Sequence, residues 1–190
     1  MAHQFDPKDF RKLENPKRLE FSPPEATVEK FPVGQGDRVA DIGCGAGYYL
    51  LPLARRVGDA GVVYGIDLHE ELLDRCASKA HEEGLSNVVL VKAEPDQVPV
   101  ADGEVDFVLM SNVLHELSDP GPLLAEVRRI GRDGAKLLVL EWKPAEMPIG
   151  PPVAERLAPQ EVARILEREG FSTGEVLDLN KGQYGVVAGW

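Results

Sequence analysis

Three features of the sequence predict an α/β domain with a doubly wound, seven-stranded sheet, mostly parallel and ending in an antiparallel hairpin strand. From residue 36 onward, short apolar runs alternate with amphipathic helical runs. The apolar runs are apolar at nearly every position, as strands covered on both faces require. Residues 39–47, VADIGCGAG, break one such run into three closely spaced glycines and lead at once into a helix. Glycines there let the backbone turn tightly and a ligand come close, because no Cβ stands in the way.

The elements follow in order. Residues 1–35 form a polar, proline-interrupted lead-in, in which Phe5, Phe10, Leu13, Leu19 and Phe21 recur at roughly helical intervals. Pro23 and Pro24 break any longer helix, and Pro24 suits the first position of a new one. DRVADIG is the first strand, YYLLPLARRVG the first helix of the body, and VVYGIDL the second strand. EELLDRCASKAHEEG is a helix closed by Gly84. NVVLVKAE and VDFVLMSN are strands three and four, PGPLLAEVRRIG a helix, and AKLLVLEW strand five. After the loop KPAEMPIGPPVAERL comes the helix PQEVARILEREG. GEVLDLN and QYGVVAGW then meet at Lys181-Gly182, which reads as a hairpin turn. The expected division is a helical lead-in or lid at 1–35 and a ligand-binding body at 36–190.

Composition narrows the function. A chain of 190 residues with 43% apolar and 28% charged residues suits one domain with a full core. A net charge of −11 argues against unaided nucleic-acid binding, which needs clustered Lys and Arg. No apolar run approaches a membrane span, and the first ten residues lack a signal peptide's apolar centre. Cys44 and Cys76 give neither a disulfide framework nor metal-ligand spacing. The expectation is a cytoplasmic monomer or small homo-oligomer, with no metal, acting on a small molecule.

In a doubly wound sheet the ligand sits beyond the carboxyl ends of the strands. The dinucleotide fingerprint G-x-G-x-x-G fails in both registers, with Tyr48 in the sixth position from Gly43 and Leu50 in the sixth from Gly45. Asp41, two residues before Gly43, would repel a pyrophosphate but suits a ligand carrying an ammonium and a sulfonium. Asp67, closing the second strand, is placed to accept hydrogen bonds from ribose hydroxyls, or to cap the helix after it. Glu94, after the third strand, puts another acid beside the same pocket. The electrostatics favour S-adenosylmethionine over a dinucleotide.

DIGCGAG, YGIDL, KAEPDQVP, VDFVLMSNVLHEL and the C-terminal hairpin together resemble the class I S-adenosylmethionine-dependent methyltransferases. Within them the chain is similar to the small stand-alone ubiquinone- and arsenite-type group, with a Rossmann-like sheet. The resemblance implies that Asp41, Gly43, Cys44, Gly45 and Gly47 surround the methionine end of the cofactor. Asp67 would hold the ribose diol, and Leu68, Ala93 and Glu94 would lie along the adenine. Ser111 and Asn112 would line the methionine portion. S-adenosylhomocysteine would be the product. Where the family offers a backbone N–H to the adenine ring, this chain has Pro95, which has none. Arsenite is disfavoured as acceptor, since two cysteines do not make its thiol set.

Methyl transfer from a sulfonium is a direct displacement, so alignment supplies much of the rate. A general base is needed only where the acceptor loses a proton. His115, just past strand four, and Glu141, closing strand five, are the candidate catalytic residues. His115 also suits a packing role at the start of the next helix, and Glu116 reads as solvent-facing. Trp142 reads as a pocket wall or as cover for the sheet edge, and the 143–157 loop as a lid or a connector. His3, Phe5 and Phe10 suit a lid over the cofactor or a loosely packed end. Cys44 and Cys76 read as packing residues. The alternative function is a non-catalytic module that binds S-adenosylmethionine or S-adenosylhomocysteine without transferring a methyl group.

Overall fold

The computed structural model describes residues 16–190. His3, Phe5, Phe10 and Leu13 lie outside the described residues. Among the described residues two short helices, α1 (Lys17–Phe21) and α2 (Pro24–Val28), precede β1 (Arg38–Ile42), with Pro24 opening α2. Then come α3 (Leu50–Val57), β2 (Val62–Asp67), α4 (Glu70–Glu82), β3 (Val88–Lys92) and β4 (Val105–Ser111). The chain continues through a 3₁₀ turn (Leu114–Glu116), α5 (Gly121–Ile130), β5 (Gly131–Trp142) and a second 3₁₀ turn (Val153–Glu155). It ends with α6 (Pro159–Arg168), β6 (Ser172–Asp178) and β7 (Gln183–Gly189).

The seven strands lie in the order β3-β2-β1-β4-β5-β7-β6. Pairings β1–β2, β1–β4, β2–β3 and β4–β5 are parallel, while β7 runs antiparallel to both β5 and β6. The strand order reverses between β1 and β4, so the crevice of a doubly wound sheet opens at their carboxyl ends. The expected hairpin is present. Its turn is closed by Asn180, whose Oδ1 accepts from the N–H groups of Gly182 (3.0 Å) and Gln183 (2.8 Å).

Strand alternation divides the core between the two faces. Ala40, Ile42, Val108 and Met110 pack with Leu124 and Val127 of α5 and with Val162 and Leu166 of α6. Val39, Phe107, Leu109 and Leu140 pack instead with α3 and α4. In α3 the contact comes from Leu50, Leu53, Ala54 and Val57, the spacing of a helix stripe. Cys76 of α4 lies fully inside this layer. Val28, Phe31 and Val33 are buried in it too, so the described part of the lead-in shares the body's core. Phe31 packs between a tilted Tyr49 ring and a stacked Phe107 ring, with centroids 6.0 and 6.3 Å away.

Burial on both faces holds for the inner strands and fails at the edges. Val89 on β3 and Val176 on β6 are 42% and 50% exposed, since each edge strand has one neighbour and partial helix cover. Strand β5 also begins earlier than AKLLVLEW suggests, at Gly131, where the register to β4 shifts between Val105 and Phe107. Gly131 is needed there because a Cβ would lie 2.1 Å from the Trp190 ring. Among the described residues no helix is long and apolar enough to cross a membrane.

Candidate active site

The carboxyl ends of the central strands open onto a cavity of about 620 Å³, inside the roughly 300–1,000 Å³ typical of small-molecule sites. Strand order lays the candidate residues along its rim. Glu94 after β3 and Asp67 at the end of β2 stand on one side of the glycine loop. Ser111 and Asn112 at the end of β4 and Trp142 at the end of β5 stand on the other.

The glycine loop owes its shape to positive φ angles at Gly43 (71°), Gly45 (55°) and Gly47 (86°). Gly43 and Cys44 donate their N–H groups to Ile66 O at 2.8 and 3.1 Å, and Gly45 donates to Asp67 Oδ2 at 2.8 Å. Asp67 Oδ1 accepts from His69 N at 2.9 Å. Asp67 thus braces the glycine loop against the end of β2, and each carboxylate oxygen keeps a lone pair for a ligand. It does not cap α4. The N-cap there is His69, because two residues of loop separate the carboxylate from the first helical turn.

The three glycines do different work. A Cβ on Gly43 would stand 2.4 Å from Val113 Cγ2, so this glycine lets the segment after β4 close onto the loop. Gly47 lies off the cavity wall. A Cβ there would meet Cys76 Sγ at 2.8 Å, so packing against α4 is what requires a glycine at this position. Gly43→Ala should therefore cost about 1–3 kcal/mol from left-handed strain and overpacking. A thermal melt lowered by several degrees checks this, and an unchanged melt would refute it.

Asp41 is the strongest electrostatic feature of the cavity. It is 1% exposed, and among the described residues its Oδ1 meets no hydrogen-bond donor. Burial, reinforced by the neighbouring Asp67, pushes its pKa well above the usual carboxylate range. A buried, under-partnered acid in a cavity is relieved by a cation. Cys44 lines the same wall. Burial first, then Asp41 and Asp67, hold its thiol neutral, consistent with a packing role.

On the far side of the loop, Asn112 has φ +58° and its side chain is held by a neighbour and by a residue distant in sequence. Its Oδ1 accepts from Gln183 Nε2 at 3.3 Å, and its Nδ2 donates to Ser111 Oγ at 3.0 Å. Gln183 Oε1 accepts from Tyr49 OH, which also pairs with Ser22 Oγ at 2.9 Å. Gln183 is fully buried at the start of β7. Nothing in QYGVVAGW marks it apart from being a polar residue opening an apolar strand.

His115 and Glu141 meet. Glu141 is fully buried at the end of β5, and His115 sits in the 3₁₀ turn after β4. His115 Nδ1 lies 2.7 Å from Glu141 Oε2, and the His115 backbone N–H donates to Glu141 Oε1 at 3.2 Å. A carboxylate acceptor selects the Nδ1–H tautomer, leaving the Nε2 lone pair as a base. Burial works against a charged ring, but the hydrogen bond and charge of Glu141, aided by Glu116 and Glu155, outweigh it and hold the His115 pKa above its ordinary value. His115 lines the cavity while Glu141 does not, so Glu141 meets the cavity only through the ring. Glu116 is half-buried on the cavity wall rather than solvent-facing, because the 3₁₀ turn rolls it inward.

Trp142, 6% exposed, both closes the sheet and lines the cavity. The 143–157 loop forms the adjoining wall, shaped by one buried guanidinium. Arg156 donates from Nε to Pro151 O (2.9 Å), from Nη1 to Lys143 O (3.1 Å) and Ala145 O (2.6 Å), and from Nη2 to Ile149 O (3.0 Å). Those carbonyls satisfy the buried charge and hold the loop in one shape.

The methyltransferase domain family matches residues 40–139, from the middle of β1 to β5. The chain belongs to the S-adenosylmethionine-dependent methyltransferases. A methyltransferase of this kind from Aquifex aeolicus, known as a crystal structure, is 39% identical with a TM-score of 0.91, covering 97% of this chain and 98% of that one. A demethylmenaquinone methyltransferase of Geobacillus sp. (strain WCH70) is 31% identical over 117 residues, 62% of this chain and 50% of the relative. The ubiquinone/menaquinone biosynthesis C-methyltransferase UbiE of Teredinibacter turnerae is 34% identical over 117 residues, 61% of this chain and 47% of the relative. The chain thus spans about half the length of the curated relatives it matches.

S-adenosylmethionine is the cofactor of this family, and the cavity fits it. The orphaned Asp41 oxygen answers a cationic amino acid, and Gly43 and Gly45 line the cavity with backbone alone. Leu68, Ala93 and Glu94 line the cavity beyond Asp67. Glu94 N and Gln97 N each donate to the other's carbonyl at 3.2 Å, so Pro95 lies in a tight turn closed by those two bonds.

Proposed function

We propose that this chain methylates a small, largely apolar acceptor that gives up a proton in the reaction, with the reduced ring of a naphthoquinone as the acceptor class. The observation that carries the reading is the His115–Glu141 pair, set beside a chamber walled by Leu117, Leu123, Trp142 and Ile149. An aromatic ring suits such walls, and a phenolic hydroxyl suits a base at Nε2. The names of the quinone-methylating relatives point the same way.

In this reading Asp41, Gly43, Cys44 and Gly45 hold the amino-acid end of the cofactor, Asp67 the ribose, and Leu68, Ala93 and Glu94 the adenine. Ser111 and Asn112 border the reacting centre. When bound, the cofactor supplies a methyl group from its sulfonium, the sulfur keeping the electron pair of the broken bond. His115 Nε2 takes the acceptor's proton as the new bond to the methyl group forms. Glu141 keeps the ring in its Nδ1–H tautomer and balances the charge that ring then carries. Trp142 and the 143–157 wall keep water away from the base. The −11 charge of the chain disfavours a nucleic acid as acceptor.

The test incubates the protein with S-adenosylmethionine and 1,4-naphthohydroquinone under reducing conditions, followed by mass spectrometry. A product heavier by one methyl group is expected. Methylation only of acceptors outside the quinol class would remove the quinone reading and keep the small-molecule one. Tight S-adenosylhomocysteine binding without methylation of any acceptor in a metabolite extract would favour the non-catalytic module.

A further inference from the structure

We propose that Arg18 binds the carboxylate of the cofactor's amino-acid portion, so that helix α1 completes a site otherwise built from the sheet. The inference rests on the cofactor reading of the cavity and adds a residue from outside the matched family region, 40–139.

The chemistry asks for a cation. The cofactor's amino-acid portion carries a carboxylate as well as an ammonium. The acids that suit its cationic and hydroxyl groups, Asp41, Asp67 and Glu94, repel that carboxylate. Backbone N–H groups of the glycine loop are partly committed, with Gly43 and Cys44 bound to Ile66 O and Gly45 to Asp67. A charged donor is the natural complement to a carboxylate in such a place.

Arg18 stands where that end of the ligand would fall. Its guanidinium carbon lies 3.8 Å from the centroid of the Tyr48 ring, and both residues line the cavity. Tyr48 directly follows the glycine loop. Its neighbour Tyr49 reaches through Gln183 to Asn112, on the β4 side of the loop. Asp67 and Glu94, suited to ribose and adenine, lie on the opposite side, at β2 and β3. Strand order therefore separates Arg18 from the nucleoside and sets it beside the amino-acid end.

The position is fixed rather than fortuitous. Immediately after Arg18, Phe21 O accepts from Gly182 N at 2.9 Å, Ser22 O accepts from Tyr48 OH at 2.7 Å, and Ser22 Oγ pairs with Tyr49 OH. Tyr48 is thus both the platform under the guanidinium and a strut holding α1 in place. Burial lowers the Arg18 pKa, partly countered by Tyr49 and Tyr48, yet a guanidinium stays charged at neutral pH. An anion in the cavity offsets that cost of burial. Lys79, the other long basic side chain on the wall, rises from α4, the helix that packs over β2 and β3, and points its Nζ at Ala46 O at 3.4 Å.

Two nucleosides separate the possibilities. S-adenosylhomocysteine carries the carboxylate, and 5′-methylthioadenosine has the same adenine, ribose and sulfur without the amino acid. In calorimetric titrations, Arg18→Met should weaken S-adenosylhomocysteine by about ten- to hundredfold, the loss expected for a charged hydrogen bond. Methylthioadenosine should bind Arg18→Met as it binds the unaltered chain, and Arg18→Lys should recover part of the lost affinity. Equal weakening of both nucleosides would make Arg18 a support for α1 and overturn the proposal. So would an unchanged affinity for S-adenosylhomocysteine, or a selective loss in Lys79→Met instead. Failure of the unaltered chain to bind either nucleoside would sink the cofactor reading itself, an outcome distinct from these.

Discussion

Asp41→Asn is expected to weaken S-adenosylhomocysteine binding severely while making the ligand-free protein more stable. Both effects follow from one buried carboxyl. Asp41 has little exposure, an oxygen without a donor among the described residues, and Asp67 for a neighbour. Its folded pKa is raised above the unfolded value. The stability it contributes is therefore fully present below the ordinary carboxylate pKa, near 3.9, and is lost as pH rises toward and through the raised folded value. At neutral pH an amide removes that liability, so the melting temperature of the empty Asp41→Asn protein should rise. The ligand's ammonium reverses the balance, because it prefers the ionised carboxylate. Removing one partner of a buried ion pair costs about 3–5 kcal/mol. The full loss should appear at alkaline pH, where the unaltered protein no longer has to give up a proton to bind. Its affinity should rise with pH as Asp41 becomes easier to ionise, while that of Asp41→Asn stays flat. Calorimetry across pH measures both curves. Parallel curves for the two proteins would mean that Asp41 stays protonated when the cofactor is bound.

The half of the cavity made by β1 and β2 was legible in the sequence because its residues are nearly contiguous. Asp41, Gly43, Cys44 and Gly45 occupy one turn, and Asp67 ends the next strand, so local spacing alone put them together. Gly47 shows the limit of that logic. It shares the glycine pattern, but its constraint comes from Cys76 on a different helix, and tertiary packing leaves no mark on local spacing. The alternation of strands and helices was legible for the same local reason, as was the hairpin. The shift between β4 and β5 that starts β5 at Gly131 was not, since it answers to the Trp190 ring nearly sixty residues away. On the acceptor side, His115 and Glu141 could be placed separately, as the ends of β4 and β5. Their contact needed the knowledge that these strands are neighbours. Arg18, Gln183 and Arg156 carry no local signal. Each is a single polar residue in an unremarkable stretch, and each acquires its role from groups the chain brings back from far along the sequence.

His115→Ala should slow methyl transfer about 10²- to 10⁴-fold, the range of a lost general base, with cofactor affinity unchanged. The sharper measurement is the pH dependence. A base works in its neutral form, so turnover should rise with pH through the His115 pKa. Burial alone would set that rise below the ordinary histidine value of 6.5, but the Glu141 hydrogen bond and charge carry it above. Glu141→Gln removes the charge and keeps the burial. The acid limb should therefore move to lower pH than in the unaltered protein, even as the plateau falls because an amide holds the Nδ1–H tautomer less firmly. A structural role for Glu141 would lower the plateau without moving the limb. Stability follows the same linkage. His115 has a raised folded pKa, so its pairing with Glu141 stabilises the fold fully below the unfolded pKa of about 6.5. That contribution fades as pH rises through the raised folded value. Glu141→Gln should consequently lose more stability at pH 5 than at pH 9, which chemical denaturation at the two pH values would show. An equal loss at both would mean that the pair is held by packing and that the ring carries no proton-dependent bond to Glu141. In that event the ring's basicity would be its own, set by burial without help from Glu141, and the acid limb of turnover would fall below the ordinary histidine value.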